Sequence, residues 1–455
     1  MVDTESFLLE GNNMTMRETI VDTAFSNEIG KVMVDSREIR GGELFFAIPG
    51  RVTDGHHFLQ EVKDKGVRGA VIRNDYTGFI PEGLHVIRVD DPLKALQDLA
   101  KAVVKKLNAK IIAVTGSVGK TTTKEFIRTI LSQNHSVAAT TGNYNTEISL
   151  PMSLINEIHG DEKWVVAEMG MTKPGHIRFL TDIAPPDIAL VTTVAHVHAM
   201  NFHSLEDIAR AKAEIFECAK TEWNVFNEDI GYSHIFRHIG SGRKRSFSRT
   251  QKAFWTLEEA ENQLIVRECG EAYYLPKPVF PAKHVYDNLL AAISACRAGE
   301  VGWDEIQGAM EKLRLPERRL EKVQRKGVVF INDSYNACEL SMLSALDVLS
   351  SQKSARRIAV LGQMGELGKF SVGCHQRVAM RALDAADELY CLGVDCEPMV
   401  EEWKKVNRQC FWTTSLSELV EKLQKDVQKG DVVLLKGSKS NKLWKVIDNF
   451  VEEKV

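Results

Sequence analysis

Residues 111 to 125, IIAVTGSVGKTTTKE, constrain the fold more tightly than any other stretch of this chain. Ile111, Ile112, Ala113 and Val114 make an apolar run of the kind that forms a buried parallel strand. Gly116 and Gly119 interrupt it, and Lys120 with Thr121, Thr122 and Thr123 opens a helical segment. A strand that turns through glycines into a helix aims several backbone N–H groups at one point, at the positive end of the helix dipole. Glycine is needed there because a Cβ would collide with a bound phosphate. The usual spelling G-x-x-x-x-G-K-[ST] would put a glycine at Val114, yet the first glycine is Gly116. A shortened phosphate loop is expected, with Lys120 reaching the terminal phosphates and the Thr121 hydroxyl at a Mg²⁺ position.

The rest of the chain repeats the strand–helix rhythm. Its 455 residues are too many for one core and suggest about three domains. Residues 1–90 mix short apolar runs with turns and read as a small α/β unit. From Pro92, the residues Leu93, Leu96, Leu99, Ala100, Val103, Val104 and Leu107 fall at helical spacing. Residues 91–315 then alternate strands, at 111–114, 164–168 and from 187, with helices from about 121 and 205. That alternation predicts a mostly parallel sheet covered by helices on both faces. The three prolines in PKPVFP (276–281) interrupt it. Residues 316–455 carry further strands at 328–331, 357–361, 388–391 and 431–435, which predicts another α/β domain.

Composition excludes several classes. The net charge of −4, from 58 basic and 62 acidic side chains, argues against a duplex nucleic-acid binder. The one basic cluster, Arg243, Lys244, Arg245 and Arg249, reads as a solvated loop. The eight cysteines form no C-x-x-C pair, so neither a zinc ribbon nor a thioredoxin motif is written here. No run approaches the ~20 apolar residues of a membrane span. The opening MVDTESFLLEGNN lacks the basic-then-apolar pattern of a leader, and a cytoplasmic protein is the expectation.

Three further positions carry chemistry. Glu168 ends the strand WVVAE and suits a metal-side carboxylate, the plainer alternative being a solvated strand end. His196 and His198 follow IALVTTV with H-x-H spacing. With no third ligand at zinc spacing nearby, one histidine helping to hold a second divalent ion is the preferred reading. Lys212 falls within the apolar stripe of Leu205, Ile208, Ile215, Phe216 and Ala219. Such a lysine either snorkels to water or keeps an amine neutral enough to be modified.

Together these stretches resemble the Mur ligase family, the ATP-dependent amide ligases that build the peptidoglycan peptide. TGSVGKTT resembles the family's variant ATP loop, and DSREIRGGELFFAIPGRVTDGHHF (35–58) its UDP-binding region. TGNYNTEISLP (141–151) resembles the substrate loop, and AKAEIF (211–216) the segment with a carbamylated lysine. NDSYNA (332–337), LGQMGELG with His375, and LLKGSKS (434–440) resemble the C-terminal domain, in the form found in members that add D-alanyl-D-alanine. The fold implied is an N-terminal UDP-binding domain (1–90), a central P-loop ATPase-like sheet (91–315) and a C-terminal Rossmann-like ligase domain (316–455).

The resemblance also implies roles. ATP would be held by Gly116, Ser117, Val118, Gly119, Lys120, Thr121 and Thr122, with Asn288, Arg318, Asp333 and Asn336 closing over it. Ser36, Arg37, Asn143, Asn145 and Thr146 would contact the substrate. Lys120, Glu168, His198 and Lys212 would form the catalytic set. Two Mg²⁺ ions would rest on Thr121, Glu168, His198 and a carbamate made on Lys212 from CO₂. The implied partners are a UDP-N-acetylmuramoyl-tripeptide and D-Ala-D-Ala, acted on by a monomer through an acyl phosphate.

Some positions depart from the family pattern. Val285 replaces the asparagine of G-x-H-N, Met200 the acidic residue after His198, Gln363 an aspartate, and Ser149 a glycine. Both Arg318 and Arg319 follow Pro316-Glu317, and spacing to Asp333 favours Arg318. Other readings are a sibling ligase, a folylpolyglutamate-type enzyme, or a nucleotide switch. A GTPase switch would carry N-K-x-D, whereas the only N-K here continues Leu443-Trp444.

Overall fold

Three sheets follow one another along the chain in the computed structural model, which describes residues 31–50, 52–197 and 199–450. The first contains β1 (Val32–Met33), β2 (Leu44–Phe46), β3 (Gly69–Arg73) and β4 (Val86–Val89), parallel and in chain order. Helix α1 (Pro92–Lys106) leads out of it. Asp91 caps α1 by accepting from the amides of Leu93 and Lys94, and Pro92 fits the first turn, where no amide partner is needed. Leu96, Leu99, Ala100, Val103 and Val104 are the buried stripe of α1, in one core with Leu44, Phe46 and Val71 of the first sheet and Ala113 and Val165 of the second.

The second sheet contains β5 (Lys110–Thr115), β6 (Val137–Ala139), β7 (Trp164–Glu168), β8 (Ile188–Val191), β9 (Trp223–Asn227), β10 (Arg243–Ser248), β11 (Trp255–Glu259), β12 (Gln263–Glu268) and β13 (Glu271–Pro276). Its spatial order is β13-β12-β11-β10-β9-β8-β5-β7-β6. Strand β5 lies between β7 and β8, so the chain winds away from it in both directions. Such a reversal opens a crevice beyond the carboxyl end of the strand, where ligands bind in open α/β sheets. Residues Ile111 to Thr115 are all buried, as a strand covered on both faces requires.

The third sheet contains β14 (Glu321–Arg325), β15 (Val328–Asn332), β16 (Arg357–Gly362), β17 (Glu388–Leu392), β18 (Cys410–Thr413) and β19 (Val432–Lys436), in the order β14-β15-β19-β16-β17-β18. Only β14 with β15 runs antiparallel. Strand β19 inserts between β15 and β16, so the ends of β15 and β19, at Asn332 and Lys436, stand side by side. Among the described residues no helix is long and apolar enough to cross a membrane.

The second sheet is less uniform than the sequence predicts. Strands β11, β12 and β13 extend it as an antiparallel meander. Trp255 and Leu257, Leu264 and Val266, and Leu275 alternate inward, packing against the helix over Lys283–Ala298. The hairpin between β12 and β13 turns on Cys269 (φ 50°) and Gly270 (φ 96°), two consecutive left-handed residues that match strand twist.

Candidate active site

The loop between β5 and helix α2 (Lys120–Leu131) is held from behind by the segment that follows β8. Ser117 N–H donates to Thr193 O at 2.7 Å, and the Ser117 hydroxyl exchanges hydrogen bonds with the Ala195 backbone at 2.9 Å. Thr192 Oγ1 donates to Val118 O at 2.7 Å. A Cβ at Gly119 (φ +89°) would lie 2.1 Å from Asn288 Oδ1, which explains why only glycine fits there. Asn288 thus packs on the loop.

Below the loop, three side chains make one row. Thr121 Oγ1 donates to Glu168 Oε2 at 2.7 Å, and Asn145 Nδ2 donates to Glu168 Oε1 at 2.6 Å. Glu168 is only 1% exposed, so the carboxylate faces neither solvent nor a free edge. Lys120 Nζ donates to Gly116 O at 2.8 Å. Burial draws the Lys120 pKa below the usual lysine value; Glu168 opposes that shift and Arg319 adds to it.

The third sheet supplies the opposite wall. Arg319 Nη2 lies 3.5 Å from Thr121 Oγ1, and its guanidinium stacks over Tyr335 at 4.3 Å. Lys436 Nζ pairs with Asp333 Oδ2 at 2.7 Å and donates to Asn336 O at 3.0 Å. A cleft of about 290 Å³ runs between the walls, lined by Ser117 to Thr122, Asn143, Glu168, Asn288, Asp333 and Asn336, with His284 and Val285 at one side. The arginine expectation needs correction. Arg318 has φ 58°, turns out of the cleft and stacks over Trp444 at 4.4 Å, so the adjacent Arg319 faces the loop instead.

A second chamber, of about 230 Å³, opens on the other side of Lys120. Asn145, Thr146, Gly116, Lys212 and His176 line it, with Met171, Phe179 and Leu180 as apolar wall. Lys212 comes from helix α3 (Leu205–Ala213), whose start is fixed by a reciprocal Ser204–Asp207 capping box. Only 4% of Lys212 is exposed, which rules out snorkelling. No carboxylate is paired with it among the described residues. Burial holds its pKa well below the lysine range, and nearby Lys120 adds to the shift.

His198 lies outside the described residues. His196 stacks on Phe370 at 4.5 Å, bridging the second and third sheets' loops. His375 is fully buried, accepts from Met364 N–H at Nε2 (3.1 Å) and donates from Nδ1 to Ser371 O (2.8 Å), a structural role. Ser36 is buried, and Arg37 is exposed and paired with Asp35 at 2.6 Å. Neither lines the two clefts.

Three contributors escaped the sequence reading, Tyr335, Lys436 and Lys124, while Arg319 was the less favoured of two arginines. Lys124 Nζ donates to Gly142 O at 2.9 Å and so anchors the loop that carries Asn143 and Asn145. Neither residue type nor spacing marks it in the sequence; its burial in α2 shows only in the structure. No group of three His, Cys, Asp or Glu side chains among the described residues could alone hold a metal ion. The Thr121–Glu168 pair suits Mg²⁺ nonetheless, because that ion takes one or two protein oxygens and completes its shell with phosphate and water.

Fold and site together define an α/β nucleotide-binding protein whose phosphate loop is shared between a nucleotide cleft and a second, lysine-bearing chamber. Residues 28–103 match the Mur ligase catalytic-domain family, 114–296 the Mur ligase middle domain and 318–439 the Mur ligase glutamate ligase domain. The UDP-N-acetylmuramoyl-tripeptide–D-alanyl-D-alanine ligase of Bacillus subtilis is 30% identical over 92% of this chain and 93% of its own. The crystal structure of MurF from Acinetobacter baumannii superposes with TM-score 0.80 and 26% identity, over 93% of this chain and 94% of that one. MurF ligase from Thermotoga maritima in complex with ADP gives TM-score 0.76 and 26% identity, over 93% and 97%. The chain belongs to the Mur ligase family.

Proposed function

We propose that this protein joins D-Ala-D-Ala to the terminal carboxylate of a UDP-N-acetylmuramoyl-tripeptide, using ATP, in the cytoplasmic assembly of peptidoglycan precursors. One observation carries the reading: the nucleotide cleft and the second chamber meet at Lys120. A γ-phosphate held by that lysine lies at the mouth of a chamber able to take a carboxylate. The names of the relatives supply the substrates.

A carboxylate resists attack by an amine because the anion is a poor electrophile and oxide a poor leaving group. Transfer of the γ-phosphate to the carboxylate oxygen makes an acyl phosphate and releases ADP, splitting one hard step into two. The amine of D-Ala-D-Ala then attacks the acyl carbon, and the tetrahedral intermediate expels phosphate. Lys120 and the amides of residues 116–121 hold the β- and γ-phosphates, and Arg319 from the third sheet meets the same charge. Asn143, Asn145 and Thr146 orient the peptide end; Asp333, Asn336 and Asn288 border the nucleotide. Mg²⁺, held by Thr121 and Glu168, would supply charge neutralisation at the phosphates. His198 belongs to the same proposal.

Lys212 is read as the site of a carbamate. A neutral amine adds to CO₂ with loss of a proton, and the burial that lowers its pKa favours that neutral form. The product is an oxygen donor facing Lys120, in place of a second cation. The same reading assigns 1–90 to the UDP-substrate, 91–315 to ATP and 316–455 to ligation. Phosphate release that requires both UDP-N-acetylmuramoyl-tripeptide and D-Ala-D-Ala is the test. Hydrolysis indifferent to both would favour a switch protein and overturn it.

A further inference from the structure

His176 opens the helix over His176–Ile183, on the wall of the second chamber. Its Nδ1 lies 3.3 Å from the backbone N–H of Thr172. A backbone amide can only donate, so Nδ1 accepts, and in the neutral ring the hydrogen sits on Nε2. Burial lowers the pKa of the ring, against a smaller opposing pull from Glu147, so the neutral form prevails near pH 7. Nε2 is buried and has no hydrogen-bond partner among the described residues. An N–H donor buried without an acceptor is costly and rare in folded proteins. The backbone around it is fixed: Glu214 accepts from the amides of Gly175 (2.7 Å) and Arg178 (3.2 Å), which pins the start of the helix. The ring therefore cannot turn to another partner without giving up Thr172.

The chamber's other groups indicate what the missing acceptor is. Lys120 gives it positive charge, Asn145 and Thr146 give it polar contacts, and Met171, Phe179 and Leu180 give it an apolar side. That combination fits the carboxyl end of a peptide better than a sugar or a base.

We propose that His176 is a positioning residue whose Nε2–H donates to an oxygen of the last residue of the acceptor peptide, and so aligns its carboxylate with the phosphate held by Lys120. This assignment rests on the ligase reading above, and it adds a residue that reads the acceptor and not the nucleotide.

The test compares His176→Phe, His176→Gln and His176→Asn with the wild type. Gln can place an amide donor near the Nε2 position, whereas Asn reaches only the Nδ1 position and keeps the Thr172 contact. Binding of UDP-N-acetylmuramoyl-tripeptide is measured by calorimetry, KM values for that substrate and for ATP by phosphate release, and folding by thermal unfolding. The Phe and Asn variants should weaken tripeptide binding and raise its KM by about tenfold or more, with the ATP KM within about twofold. Gln should recover most of the loss. Unchanged tripeptide binding in the Phe variant overturns the proposal, as does recovery by Asn but not Gln, which marks a purely structural histidine. A wild type that binds the tripeptide yet ligates nothing would reject the ligase reading while leaving the His176 contact measurable.

Discussion

Thr121 and Glu168, on elements separated by one strand and one helix in sequence, are joined by a 2.7 Å hydrogen bond at the centre of the nucleotide cleft. The pair ties the first turn of α2 to the carboxyl end of β7. It brings a buried carboxylate beside Lys120, where its charge offsets part of the cost of burying the ammonium.

Glu168→Gln keeps the side-chain volume and removes that charge. The kcat for D-Ala-D-Ala-dependent phosphate release should fall by about 10²–10³-fold, the scale of losing one electrostatic contributor at a reacting centre. Phosphate release by the purified variant measures it, with the unfolding temperature as a control for folding.

Arg319→Ala should cost roughly 10–100-fold in kcat/KM for ATP, because its guanidinium faces Thr121 and the phosphate loop. Arg318→Ala should stay within about threefold, since that side chain stacks on Trp444. Steady-state kinetics with varied ATP separates the two, and the reverse ranking would restore Arg318.

Lys212→Ala should abolish ligation, and a high concentration of a short carboxylic acid should restore part of it by replacing the oxygens of the proposed carbamate. Full activity in the alanine variant without additive would reject the carbamate. Wild-type protein in CO₂-depleted buffer should lose activity and regain it with bicarbonate.

His375 predicts a pH effect on stability. Its pKa is lowered from the ordinary 6.5, by burial first, against the favourable Ser371 contact. Below about 6.5 the unfolded chain binds a proton that the folded ring refuses, so stability falls as the pH drops through that value. His176, His196 and His284 are shifted the same way, also by burial. The unfolding temperature should decline from pH 7 to pH 5.5. His375→Gln should be less stable at pH 7, by about 1–3 kcal/mol for the lost buried bonds, but should decline less steeply. Thermal unfolding across that range checks both.

Much of the fold was legible in local pattern. The stripe of α1, the apolar run of β5, the glycine loop and the strand–helix alternation all follow from short-range periodicity. The antiparallel β11–β13 extension was missed because its inward residues, such as Trp255 with Leu257, number only two or three per strand. The Cys269-Gly270 turn was the available sign. Within the site, Glu168, Lys120 and Thr121 could be named because each ends or opens an element. Lys124 could not, since a lysine in a threonine-rich helix start looks solvated until the 140–142 carbonyls close over it.

The sequence by itself determined the phosphate loop, the helix it opens and the three-part α/β plan, because backbone geometry and apolar spacing act over a few residues. Only the tertiary structure decided which residues meet. Sheet order sets β5 between β7 and β8, and so sets Thr121 against Glu168. The left-handed backbone at Arg318 sends two adjacent arginines in opposite directions, and β19 inserted beside β15 brings Lys436 to Asp333. Those convergences depend on contacts between segments up to about two hundred residues apart, and neither residue type nor spacing encodes them locally.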